Sequence, residues 1–99
     1  MSGLGISIND PERDRQTIRR NFMDELYRRD KDANLKRRMN IFTISEIWER
    51  SLKTFSLVYV EREIREFAME DDPDFEFVGD TQQGNVRITN KGKNNCEGL

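Results

Sequence analysis

Between Phe75 and Thr89 the chain alternates apolar and polar residues twice, as Phe75-Glu76-Phe77-Val78 and as Val86-Arg87-Ile88-Thr89. The two runs flank the polar stretch Gly79-Asp80-Thr81-Gln82-Gln83-Gly84-Asn85. A period of two sends successive side chains to opposite faces of a strand, so two such runs around a glycine-bounded loop predict a β-hairpin. Residues 12 to 72 read throughout as helix. One hairpin arriving after about three helices completes a small tri-helical unit with a single β-ribbon, an α+β arrangement. A lone two-stranded ribbon is marginal, and Met39-Asn40-Ile41-Phe42 is the expected third strand.

The helices carry their own boundary signals. Asp10-Pro11-Glu12 opens the first: Asp can accept from free N–H groups of the first turn, and Pro at the first helical position loses no hydrogen bond. Ile18, Phe22 and Leu26, with Met23 beside them, form an apolar stripe that runs to about Asp30. Thr43-Ile44-Ser45-Glu46 is a capping box, and Ile44, Ile47, Trp48 and Leu52 give the second helix its apolar side. Thr54 or Ser56 caps a third helix with Leu57, Val60, Ile64, Phe67 and Ala68 on one side, stopped by Glu70-Asp71-Asp72-Pro73. Two helices joined by about four residues form a helix-turn-helix. Trp48 with Phe22, Phe42, Phe55, Phe67, Phe75 and Phe77 is assigned to the core, with Phe75 and Phe77 on their strand as the exception that could instead form a stacking surface.

Ninety-nine residues, 34% of them hydrophobic, support one domain with one modest core. Residues 1 to 9 read as a flexible N-terminal arm, 10 to 92 as the folded unit and 93 to 99 as a flexible polar tail. No apolar run approaches the roughly 18 residues of a membrane span, and the N-terminus lacks the pattern of a signal peptide, so a cytoplasmic protein is expected. Cys96, the one cysteine, can neither pair within the chain nor build a metal cage.

The net charge of −2 hides a strong segregation. Residues 13 to 38 hold ten Lys or Arg against five acids, whereas residues 43 to 80 hold four bases against eleven acids. A near-neutral protein of this kind can present one basic face to a polyanion.

At the hairpin the chain resembles the winged helix-turn-helix families, many of whose regulators close the wing with a strand reading approximately Leu-Thr-x-Lys-Gly. Here the matching residues are Ile88-Thr89-Asn90-Lys91-Gly92. The resemblance covers residues 12 to 92 in element order and this pentapeptide in sequence. It implies a winged helix, with a three-helix unit and a C-terminal hairpin wing, that binds double-stranded DNA as a transcriptional regulator or accessory factor. Those regulators usually continue into a dimerising helix, and this chain offers no evident one; dimerisation would fall to the long first helix or the N-terminal arm.

On that reading the third helix enters the major groove. Tyr59, Arg62 and Arg65 are its candidate contacts, since Arg bonds bidentately to guanine and Tyr reaches a phosphate or a base. The competing account pairs Glu61 with Arg65 and Arg62 with Glu66 along the helix, while Glu61, Glu63 and Glu66 repel phosphate. Gln82 and Gln83 at the wing tip offer amide donors and acceptors, and Arg87, Lys91, Arg37 and Arg38 are candidate phosphate contacts. The cluster Arg28, Arg29, Lys31, Lys36, Arg37 and Arg38 is the strongest cationic feature; as a solvated helix end it would also complement the helix dipole.

No histidine, no phosphate-cradling Gly-rich loop and no calcium-loop spacing is present, so neither an enzyme nor a cofactor or metal is expected. The rival from another class is a protein-interaction module whose acidic 61 to 76 surface docks on a basic partner.

Overall fold

The computed structural model describes residues 11–32 and 40–98. Among these lie four helices and three strands, in the order α1 (Pro11–Lys31), β1 (Phe42–Thr43), α2 (Ile44–Ser51), α3 (Leu57–Ala68), β2 (Phe75–Phe77), β3 (Asn85–Ile88) and α4 (Asn90–Glu97). The Asp10 cap, the N-terminal arm and the Lys36, Arg37 and Arg38 part of the basic cluster lie outside the described residues.

The capping box forms as its sequence predicts. Thr43 Oγ1 accepts from the Glu46 N–H at 3.2 Å, and the Glu46 carboxylate accepts from the Thr43 N–H at 2.7 Å. Ser56 rather than Thr54 caps α3, its Oγ accepting from the Tyr59 N–H. Helix α3 ends at Ala68, before the acidic run and Pro73.

The sheet is antiparallel with strand order β1-β3-β2. Phe75 faces Ile88, Glu76 faces Arg87 and Phe77 faces Val86, while Phe42 of β1 also faces Val86. The hairpin loop contains a short 3-10 turn, Thr81–Gln83, capped by Asp80 and closed by Gly84. Gly84 has φ +69°, a left-handed conformation that glycine adopts without the steric penalty of a Cβ.

One core joins these elements. Ile18, Phe22, Met23 and Leu26 of α1 meet Ile44 and Ile47 of α2, Val60, Ile64 and Phe67 of α3, and Phe75, Val86 and Ile88 of the sheet. Phe75 stands at its centre, with ring centroids 5.1 Å from Phe22 and 5.3 Å from Phe67. Burying a side chain of this size contributes roughly 1.5 to 3 kcal/mol. Trp48, Phe55 and Phe77 are only half-buried at the margin of this core, which corrects their assignment to its interior.

The larger correction is at the C-terminal end. Residues 93 to 97, expected as part of a loose polar tail, belong to α4. Its sequence, with a glycine and three asparagines, is a poor helix former, so the helix rests on tertiary contacts. Tyr27 donates to Glu97 at 2.7 Å, Asn95 donates to Asp74 at 2.9 Å, and Lys93 pairs with Asp30 at 3.6 Å. Thr89 caps α4 by accepting from the Gly92 N–H and itself donates to the Pro73 carbonyl at 2.8 Å. At Gly92 a methyl group would collide with the Asp74 carbonyl.

A candidate polyanion-binding surface on the third helix

Helix α3 divides by direction. Val60, Glu63, Ile64 and Phe67 point inward, and Val58, Arg62 and Met69 point to solvent, as the helical period requires. Val58 is 76% exposed.

Glu63 is on the inner face and 4% exposed, so it is not the phosphate-repelling group expected from sequence. It accepts from Arg15 at 3.1 Å and from Arg19 at 2.8 Å, and Arg19 also reaches Glu70 at 2.6 Å. The expected pairs along α3 do not form either. Arg65 donates to the Thr81 carbonyl and lies over the Phe77 ring, while Arg62 stacks on Tyr59 with its guanidinium 5.7 Å from the ring centroid.

Most other cations are held internally. Arg28 and Arg29 grip Glu25, and Arg29 continues to Glu46 at 3.0 Å. Burial by itself pushes the Glu25 carboxyl up, but the hydrogen bonds from Arg28 and Arg29 outweigh it and hold the group below its ordinary value. Of the wing-base candidates, Arg87 is bidentate on Glu76 at 2.7 and 3.0 Å, and Lys91 donates to the Asp72 carbonyl at 2.6 Å and lies 3.7 Å from Asp74. Gln82 and Gln83 are exposed, but the Gln82 N–H is bound by Asp80 and the Gln83 side chain accepts from Asn85 at 3.3 Å. Arg37 and Arg38 lie outside the described residues.

Among the described residues, Arg20 on α1 is exposed with no carboxylate within 4.0 Å and Lys31 reaches only the Tyr27 hydroxyl and ring, whereas a contiguous row lies at the α2–α3 turn. Lys53 Nζ lies 5.8 Å above the Trp48 ring, Trp48 Nε1 donates to the Phe55 carbonyl at 2.8 Å, Phe55 meets Tyr59 edge-on at 6.1 Å, and Tyr59 carries Arg62. Arg50, exposed in the last turn of α2, precedes Lys53. Among the described residues, no carboxylate lies within 4.0 Å of Arg50 or Arg62, and Lys53 reaches only Glu49, at that limit. The first turn of α3 holds no acid, so the positive end of its dipole adds to these charges. Of the sequence candidates, Tyr59 and Arg62 therefore come together here, whereas Arg65, Arg87 and Lys91 are engaged within the fold. Lys53 and Arg50 were missed; the signal available was their position at the helix-turn-helix joint, whereas helical period alone puts Val58 on one face with Arg62 and Arg65.

Among the described residues, no group of three or more His, Cys, Asp or Glu side chains is placed to hold a metal ion, and no helix is long and apolar enough to cross a membrane. Comparison with family models, curated proteins and solved structures finds no match to this chain.

Proposed function

We propose that the protein is a winged helix that binds double-stranded DNA through the α2–α3 turn and the N-terminal half of α3, with the hairpin serving as a brace for that helix. The element order and the strand order β1-β3-β2 support the winged-helix reading. One observation carries the binding surface: in a molecule whose basic side chains are mostly tied to carboxylates, Arg62 and Arg50 have none within 4.0 Å among the described residues and flank Lys53 at the α2–α3 turn, whereas Arg20, also without one, is on α1. Arg62 suits a guanine edge in the major groove, Val58 one turn earlier suits a thymine methyl, and Lys53 and Arg50 suit the flanking phosphates. A duplex groove, unlike an enzyme pocket, needs only such a convex helix face.

Two or three phosphate contacts imply that affinity falls roughly 10- to 40-fold between 50 and 200 mM salt, through counterion release. Fluorescence anisotropy with a labelled mixed-sequence duplex measures this. Lys53→Ala should weaken all duplexes alike and flatten the salt slope by about one, Arg62→Ala should relax sequence preference, and Arg87→Ala should change neither. Absence of duplex binding at low salt, or binding indifferent to both Lys53 and Arg62, would refute the proposal.

A further inference from the structure

The sheet ends at an unpaired strand. In the order β1-β3-β2, β2 is an outer strand, and among the described residues no strand pairs with its far edge. The Val78 N–H donates to the Asn85 carbonyl and the Thr89 N–H to the Asp74 carbonyl. In the alternation of an antiparallel ladder, residues 74, 76 and 78 therefore turn their backbone groups to β3, and Phe75 and Phe77 turn theirs to the open edge. Beside Phe77 lies a groove of about 410 Å³ between α3 and the hairpin, lined by Arg65, Ala68, Met69, Phe77 and Thr81. Met69 is 84% exposed, more than any other large hydrophobic side chain among the described residues. Arg65, the one charged lining residue, donates to the Thr81 carbonyl and lies over the Phe77 ring. An open strand edge beside an apolar slot is a template for a further strand, which folds ordinarily cover.

We infer that the segment Leu4-Gly5-Ile6-Ser7-Ile8 of the same chain adds to β2 as a fourth strand and seats its apolar side chains in the groove. Its pattern fits the edge. Leu4, Ile6 and Ile8 alternate with Gly5 and Ser7, so the apolar face continues the inward face of Phe75 and Phe77, and Gly5 and Ser7 fall on the solvent side with Glu76. Its charge fits as well: residues 1 to 9 carry no charged side chain, and neither the engaged Arg65 nor exposed Arg62 on the same helix face opposes them. Its tether is long enough. Helix α1 starts at Pro11, about 12 Å along its axis from Arg19. The Arg19 guanidinium is 2.6 Å from the carboxylate of Glu70, the residue after Met69. Extended chain from Pro11 back to Leu4 covers roughly 23 Å, which brings the segment within reach of Met69. The tether also gives the segment a high effective concentration at the groove. A second copy is a poorer occupant, because β2 pairing with β2 about their centres sets Glu76 opposite its own counterpart. The inference goes beyond DNA binding and uses neither Lys53 nor Arg62.

Amide exchange of the full chain, labelled with nitrogen-15 and carbon-13, reads the edge directly, because the Phe77 N–H gains a partner when the segment pairs with β2. The expected result is a Phe77 amide that exchanges about tenfold or more slowly than in the doubly substituted chain carrying Leu4→Ser and Ile6→Ser. A nuclear Overhauser contact between the Met69 methyl and the methyls of Leu4 or Ile6 should accompany it. Both serines precede α1, so the amides of Phe22 and Ile64 should keep their protection. Met69→Lys, at a solvent-facing position in the groove, should speed Phe77 exchange to a similar degree without changing the sequence of the segment. Equal Phe77 exchange in the parent and the doubly substituted chain, or Phe77 protection indifferent to Met69→Lys, would overturn the inference. Protection that disappears on dilution would assign the edge to the segment of a second copy and would overturn it as well.

Discussion

Glu63 shows how far a residue's role depends on the side of the helix it occupies. In sequence it is one of several acids on α3; in the structure it is the buried partner of Arg15 and Arg19, while Glu66, three residues on, is exposed with no cation within 4.0 Å. Taking a carboxylate out of water is costly unless it is paired and hydrogen-bonded, and two guanidinium groups supply that here. Glu63→Gln keeps the shape and removes the charge. It should destabilise the fold by about 1 to 3 kcal/mol, toward the lower end because Arg15 is 43% exposed and can regain water. Glu66→Gln should stay within about 0.5 kcal/mol of the parent. Urea unfolding of the two variants checks the contrast, and equal effects would contradict the burial of Glu63.

At the scale of elements, the strand-to-helix joint explains what the pentapeptide Ile88-Thr89-Asn90-Lys91-Gly92 does. Ile88 is buried on the sheet, Thr89 caps α4 and ties back to Pro73, Lys91 holds the Asp72 carbonyl, and Gly92 lets α4 approach the backbone at Asp74. Four of the five residues thus weld β3 and α4 to the segment that leads into β2. Gly92→Ala should cost about 1 to 3 kcal/mol, or more where the backbone cannot yield. Faster amide exchange across residues 93 to 97 would locate the damage in α4, whereas an unchanged exchange pattern would refute the close approach. Helices α1, α2 and α3 and the hairpin were legible in sequence because each announces itself locally, by an apolar stripe, a capping box or strict alternation. Helix α4 was not, since Lys93, Asn95 and Glu97 find their partners 21 to 70 residues away. The binding surface was half legible for the same reason: Tyr59 and Arg62 follow from helical period, but which cations are consumed depends on contacts such as Arg87 with Glu76 across the hairpin.

For the molecule as a whole, α1 is the element on which the others assemble, packing against α2, α3, α4 and β3. Glu25 sits at the junction with α2, because Arg29 bridges it to the capping-box residue Glu46. Its folded-state pKa is depressed, so its stabilising contribution is complete above the unfolded value near 4.5 and is lost as pH falls through the lowered one. Thermal melting between pH 7 and pH 3 should therefore drop on the acid side, and Glu25→Gln should shallow that drop while lowering stability at pH 7. A variant with an unchanged acid slope would show that Glu25 is not part of the acid response.

The packing of Phe22 against Phe75 also has a consequence for how the chain is made. About fifty residues separate the two rings in sequence, and a ribosome adds roughly 5 to 20 residues each second. For roughly 3 to 10 seconds the apolar stripe of α1 has left the exit tunnel before its central partner emerges from it. During that interval the nascent helix is a natural client for holding chaperones, and mutations that slow elongation between α1 and β2 would prolong its exposure without altering a single contact of the finished protein.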